Sequence, residues 1–144
     1  MAVVANVVSQ QSLQFDVPGI APAGATRVFM TTGIAQFQLA VQSPGQNFAS
    51  QSTGVKLLVE PVIAPGQFRR ATAVVALASL QQQDGNTPGQ SSANLWQIDD
   101  VAASLDDESG KVELRFDVTV NAFGTGTSTS LAAVTFQVTS IAAI

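Results

Sequence analysis

Apolar and polar residues alternate most regularly between Lys111 and Val120, where the chain reads KVELRFDVTV. A period of two predicts a β-strand with one face against a core and the other face in water. The preceding DDESG and the following NAFGTGTSTS are rich in turn-forming residues, and Gly110 can adopt positive φ. The segment is therefore predicted to be a strand between two turns, with these side chains inward: Val112, Leu114, Phe116, Val118 and Val120.

The C-terminal segment LAAVTFQVTSIAAI alternates in the same way, with Val134, Phe136 and Val138 on one face. Together with the strand before it, this segment predicts an antiparallel meander. No Asp, Glu, Lys or Arg occurs after Asp117. An uncharged strand at the edge of a sheet is open to pairing with another chain. We therefore predict a homo-oligomer that forms through sheet edges or faces.

Five earlier segments show shorter runs of the same period. With the segments above and the one described next, they predict about eight strands in two antiparallel sheets, forming a single β-sandwich domain over residues 1–144. The pattern does not distinguish a jelly-roll from an immunoglobulin-like topology. The side chains predicted to face inward are Leu13, Phe15 and Val17; Val28 and Met30; Ala35, Phe37, Leu39 and Val41; Val55, Leu57 and Val59; and Phe68, Thr72, Val74, Ala76, Ala78 and Leu80.

The segment SSANLWQIDDVAASL has two interpretations. As a strand, it would place Trp96 and Ile98 on one face, and Asp100 would interrupt that face. As a helix, it would begin at Ser92 and align four apolar residues, Leu95, Ile98, Ala102 and Leu105. We favour the strand because it leads directly into the DDESG turn. The fold is then predicted to contain at most one short helix.

The tripeptide PGQ occurs three times, beginning at Pro44, Pro65 and Pro88. Proline presets φ at the second position of a type II turn, and glycine accepts the positive φ of the third. The residues around the three copies do not resemble one another, whereas a solenoid would need a longer repeated unit. We predict turns between strands rather than a functional repeat.

Composition excludes several classes of function. The chain has six Lys and Arg residues and a net charge of −4, so we predict no nucleic-acid partner. It lacks Cys, His and Tyr, which removes disulfides, thiolate chemistry and the commonest general base. We predict that the protein is not an enzyme and needs no cofactor, with Ca²⁺ as the one candidate ion.

The N-terminal segment does not resemble a signal peptide, and the apolar run ATAVVALASL is too short to span a membrane. The sequence indicates no cellular compartment. Only 11% of residues are charged, so the polar surface consists mainly of amides and hydroxyls. Such a surface repels its own copies weakly, which favours self-association or neutral partners such as glycans.

Half of the acidic residues lie within ten positions, between Asp99 and Glu108. Asp106, Asp107 and Glu108 in one turn can supply the oxygen ligands that Ca²⁺ prefers, although acidic residues are also ordinary turn formers. Asp99 is a candidate ligand-binding residue on the adjoining strand. Trp96 is the other, since an exposed tryptophan can stack on a sugar ring, although its apolar neighbours also suit a core position.

We predict a non-catalytic structural or assembly protein that self-associates. The alternative is a carbohydrate-binding, lectin-like module assisted by Ca²⁺. A third hypothesis is a glycoside hydrolase that uses two carboxylates of the acidic cluster. No motif in the chain resembles a family signature.

Overall fold

The computed structural model describes residues 2–19, 24–85 and 89–144. Within these ranges the chain forms eight β-strands and no helix, which confirms the all-β prediction. The strands are β1 (Val3–Val4), β2 (Asn6–Val17), β3 (Thr26–Gln42), β4 (Phe48–Val59), β5 (Phe68–Gln83), β6 (Ala93–Leu105), β7 (Val112–Phe123) and β8 (Ser128–Ala143).

The strands form two four-stranded sheets, as the sandwich prediction requires. Sheet 1 has the order β1-β4-β7-β6, and sheet 2 has the order β2-β3-β8-β5. All pairs are antiparallel except β1 with β4. The β2–β3 and β6–β7 links are hairpins within a sheet, whereas the other links cross between the sheets. Near the N-terminus the chain changes sheets at Ala5, whose amide bonds to the carbonyl of Lys56 in sheet 1.

The core lies between the two sheets and follows the alternation of the best-patterned strands. Phe116 of β7 is 1% exposed, and its ring meets that of Phe37 edge to face with centroids 6.0 Å apart. The predicted inward positions of β4, β7 and β8 are all buried. These strands bury their faces as expected because β7 and β8 are central and β4 is flanked by β7 and the short β1.

The predicted C-terminal meander is wrong, because β7 and β8 belong to different sheets. β8 lies between β3 and β5 and forms backbone hydrogen bonds on both sides. It is therefore not an edge strand, and its lack of charge does not expose a free edge. The crossing between the sheets uses Gly124 and Gly126, both at positive φ.

The side chains of Leu13, Phe15 and Val17 face outward, contrary to the prediction, and so do Val28 and Met30 in the paired strand β3. In this region the inward residues of β2 are polar, whereas β3 turns both Phe29 and Thr31 inward. Thr31 is buried there, and its hydroxyl donates to the carbonyl of Glu60 at 2.6 Å. A regular alternation predicts a strand with an apolar and a polar face, but the pairing of that strand with its neighbours determines which face is buried against the core.

Strand β5 is exposed at Val74 and Ala76, whereas Ala73 and Val75 pack on the core. The predicted face fails because the register shifts after Phe68 and again after Leu77. Each extra residue in a bulge moves the following side chains to the opposite face. Phe68 and Leu80 therefore pack on the core as predicted, while Thr72, Val74, Ala76 and Ala78 do not.

Strand β3 combines two segments that were predicted as separate strands, and β1 was not predicted. The 92–105 segment is a strand, β6, so the helical alternative is wrong. It forms the expected hairpin with β7, and Gly110 in the connecting turn has φ of 73°. Asp100, which interrupts the apolar face, lies in a bulge at φ of 52°.

The first two PGQ copies lie in connections between strands, as predicted. Gly45 and Gly66 do not have positive φ, so these connections are not the expected type II turns. In the third copy Gly89 has φ of 78°, and its Pro88 lies outside the described residues.

Candidate functional site

In the turn predicted to bind calcium, the first carboxylate, that of Asp106, accepts hydrogen bonds from within the turn. Asp106 accepts hydrogen bonds from the hydroxyl of Ser109 at 2.5 Å and from the amide of Ser109 at 3.1 Å. These bonds hold the pKa of Asp106 below its ordinary value, the hydroxyl bond being the larger cause. Asp107 and Glu108 are exposed beside it. Asp106 thus has hydrogen-bond partners within the turn, and calcium binding by Asp106, Asp107 and Glu108 stays a prediction.

Asp99 does not lie at this turn. It is opposite Asp117, whereas Leu105, which precedes the turn, is opposite Val112. Five residues of β7 separate the two positions, which corresponds to roughly 17 Å along the sheet. The structure therefore places Asp99 and the 106–108 turn at separate points on the β6–β7 hairpin.

Asp99 instead joins Asp100 and Asp117 in an exposed cluster, in which carboxylate oxygens of the three residues lie within 4.8 Å of one another. The bulge in β6 brings Asp100 beside the directly opposed pair. Ser52 and Thr119 border the same shallow depression. Hard oxygen donors of this kind suit Ca²⁺. Asp117 was missed as a site residue because it occupies an ordinary outward position of the β7 alternation.

The three carboxylates repel one another at neutral pH. The hydrogen bond with Asp100 is the largest cause that raises the pKa of Asp117, followed by desolvation and the charges of Asp100 and Asp99. A raised pKa means that the native state holds this proton more tightly than the unfolded chain does. The resulting stability is present below the ordinary Asp value and is lost as the pH rises through the raised value.

We therefore expect Asp117→Asn to raise the melting temperature at pH 7, measured by thermal unfolding in the presence of a chelator. The increase should shrink as the pH falls through the raised pKa of Asp117 and be small below the ordinary Asp value of about 4, where that carboxyl is protonated. Asp107→Asn removes the same charge from the exposed turn and is the matched control. A larger increase for the control than for Asp117→Asn would contradict this interpretation.

Trp96 and Asp99 lie on opposite faces of β6. Trp96 is opposite Val120 on the inner face and is 42% exposed because β6 is an edge strand. Asp99 is opposite Asp117 on the outer face. The two predicted ligand-binding residues therefore do not share a surface. Carbohydrate binding, which remains a prediction, would have to use one residue without the other. The hydrolase hypothesis, which uses two carboxylates and not Trp96, also remains a prediction.

The outer surface of sheet 2 carries several exposed apolar side chains. We call it the neutral face, and it consists of the outward side chains of β2, β3, β8 and β5. Leu13 on β2 is 70% exposed and Val74 on β5 is 67% exposed. Other apolar side chains on this face, exposed or partly exposed, are Phe15, Val17, Val28, Met30, Ile34 and Ile141.

The outer surfaces of the two sheets differ in the number of charged side chains. Among the outward residues that the structure places in register on the neutral face, Arg70 alone is charged. On sheet 1 the outer surface carries Lys56, Glu113 and Arg115 in addition to the Asp cluster, and Arg115 bonds to Glu113. The fold therefore places most of its outward strand charge on one surface and leaves the other nearly neutral.

A shallow groove of about 480 Å³ crosses the neutral face. Ile34 and Val74 form its sides, and Thr135 and Gln137 of β8 lie between them. The groove exists because Ala76 and Thr135 have short side chains next to the longer apolar ones of Ile34 and Val74.

Neither a protein-family model, nor a curated protein, nor a solved structure matches this chain. Function is therefore inferred from the surfaces themselves. In the part of the chain that the structure describes, no helix is both long and apolar enough to cross a membrane.

The uncharged C-terminal strand forms part of the neutral face, and the homo-oligomer predicted from its lack of charge stays a prediction. The outward residues of β8 occupy the middle of that face. The apolar residues of β2, assigned to the core from their alternation, turn out to extend the face to its edge.

Proposed function

We propose that this protein is a non-catalytic structural or assembly protein whose copies associate by burying the neutral face. The observation that carries the proposal is a four-stranded sheet surface with many exposed apolar side chains and one charged residue in register. Monomeric proteins rarely expose large contiguous apolar patches, and such patches mark interaction sites. Two neutral faces can meet without removing opposed charges from water.

The size of the face supports a second copy as the partner. Four strands spaced about 4.8 Å apart and about 12 residues long cover roughly 19 Å by 40 Å. This footprint is close to the area of about 800 Å² that each partner buries in a stable protein–protein interface. A second neutral face matches it in area, apolar character and scarcity of charge.

Association through the face is favoured over association through the edges. Sheet 2 ends in β2 and β5, and both strands contain register shifts. Bulges bend and twist an edge strand, which hinders pairing with another chain. The uncharged β8 offers no edge at all, since it lies between two other strands.

Sedimentation velocity over a micromolar concentration series tests the proposal. We expect a concentration-dependent species with twice the 14.9 kDa mass of the chain. Raising the salt concentration should leave the dimer intact or strengthen it, because the buried face is nearly uncharged. A monomer at all concentrations, or a dimer dissolved by moderate salt, would refute it.

A further inference from the structure

The larger apolar side chains of the neutral face are concentrated on one side. Leu13 and Phe15 on β2, with Val28 and Met30 on β3, form a raised apolar half. The half made by β8 and β5 carries shorter or polar residues and most of the groove, with Val74 and Ile141 as its larger apolar members. We call these two sides the raised half and the low half, after the sizes of their apolar side chains.

We infer that the two copies are related by a two-fold axis that runs parallel to the strands, between β3 and β8. This inference rests on the proposed self-association and specifies its geometry. Such an axis places β2 of each copy over β5 of the other copy, and β3 over β8. The raised half of each molecule then covers the low half of its partner, twice per dimer.

The other two-fold arrangement with full overlap is less favourable. An axis across the strands would place β2 over β2, so that the raised halves meet and the low halves leave unfilled space. Side chains that line an unfilled space lose their dispersion contacts. Both axes keep the strands of the two sheets nearly aligned, a common way in which sheets pack face to face, so the filling of space decides between them.

The same axis gives the charged residue of the face a partner. Phe15, Val28, Ile141 and Arg70 lie in one row across the four strands. A two-fold axis along the strands preserves this row, so Arg70 of one copy lies over Phe15 of the other. A guanidinium over an aromatic ring is a favourable pairing for a cation that leaves water.

Cross-linking between two single-cysteine variants tests the geometry. The natural chain has no Cys, so each introduced thiol is unique. Leu13 and Thr72 lie at opposite ends of one outward row, which runs through Met30 and Thr139, so the inferred axis brings Leu13 of one copy over Thr72 of the other. Facing sheets are about 10 Å apart, so a thiol cross-linker of about that length is used rather than a direct disulfide.

We expect an equimolar mixture of Leu13→Cys and Thr72→Cys to cross-link at least ten-fold faster than Leu13→Cys alone. Val62→Cys, which lies on the loop between the sheets, is the control and should not cross-link above background. Sedimentation is measured on the same samples. If Leu13→Cys cross-links with itself, or a demonstrated dimer gives no mixed product, the axis is wrong while self-association stands. A monomer in sedimentation overturns both.

Discussion

Val74→Glu is expected to dissociate the dimer, raising the dissociation constant at least roughly 100-fold, or by about 2.7 kcal/mol. Val74 is 67% exposed and borders the groove on the neutral face. In the dimer a carboxylate at this position would be removed from water without a cation to pair with it. A two-fold interface contains the substitution twice, so both halves of the contact are weakened. Sedimentation equilibrium measures the change.

Val62→Glu is the matched control for this experiment. Val62 is 62% exposed, lies in the connection between β4 and β5, and gains the same single negative charge. Its dimer should dissociate at nearly the wild-type concentration. Circular dichroism should show that both variants retain the β-sheet spectrum. Equal weakening by the two substitutions would assign the effect to net charge and remove the neutral face as the interface.

Phe116→Ala is expected to lower the free energy of unfolding by about 3–5 kcal/mol, because it leaves a cavity between the sheets. Phe116 is on central strand β7 and loses its edge-to-face contact with Phe37. A domain of this size is stabilised by only about 5–15 kcal/mol, so the variant should be close to unfolding at ordinary temperatures. Urea unfolding followed by tryptophan fluorescence and circular dichroism measures the loss.

Phe48→Ala makes the same chemical change at an exposed position. The ring of Phe48 touches that of Phe123 but lies on the outer surface of sheet 1. We expect it to cost less than about 1 kcal/mol. All three proteins are compared at one concentration, because dimerisation stabilises the folded chain. Similar losses in both variants would show that the core does not lie where the structure places it.

The buried face was predicted correctly for some strands and wrongly for others, and the difference has a physical reason. Alternation located the strands and the buried faces of β4, β7 and β8, where apolar residues at every second position leave one possible core face. In β5, two bulges reverse the face, and a bulge arises from pairing with β8 rather than from the local pattern. In β2, apolar and polar residues alternate equally well whichever face is inward.

The candidate site residues show the same difference between what the local pattern predicts and what strand pairing determines. Several acidic residues lie close together in the sequence, and the sequence alone shows this concentration. It does not show which of them lie close together in the folded protein. Register across β6 and β7 separates Asp99 from the 106–108 turn and joins it to Asp117. Trp96 and Asp99 are three residues apart, and the pleat directs them to opposite surfaces. Whether the protein is an enzyme stays a prediction that neither surface tests.

Local pattern and composition were sufficient to establish an all-β sandwich, its best-buried strands, the β6–β7 hairpin and the scarcity of charge toward the C-terminus. These properties depend on neighbouring residues and on the totals of each residue type. Strand order, register and bulges depend on contacts between residues far apart in the chain. Those contacts turned the uncharged C-terminal strand into the centre of sheet 2 and the apolar residues of β2 into part of its outer surface. The neutral face is therefore a property of the folded molecule.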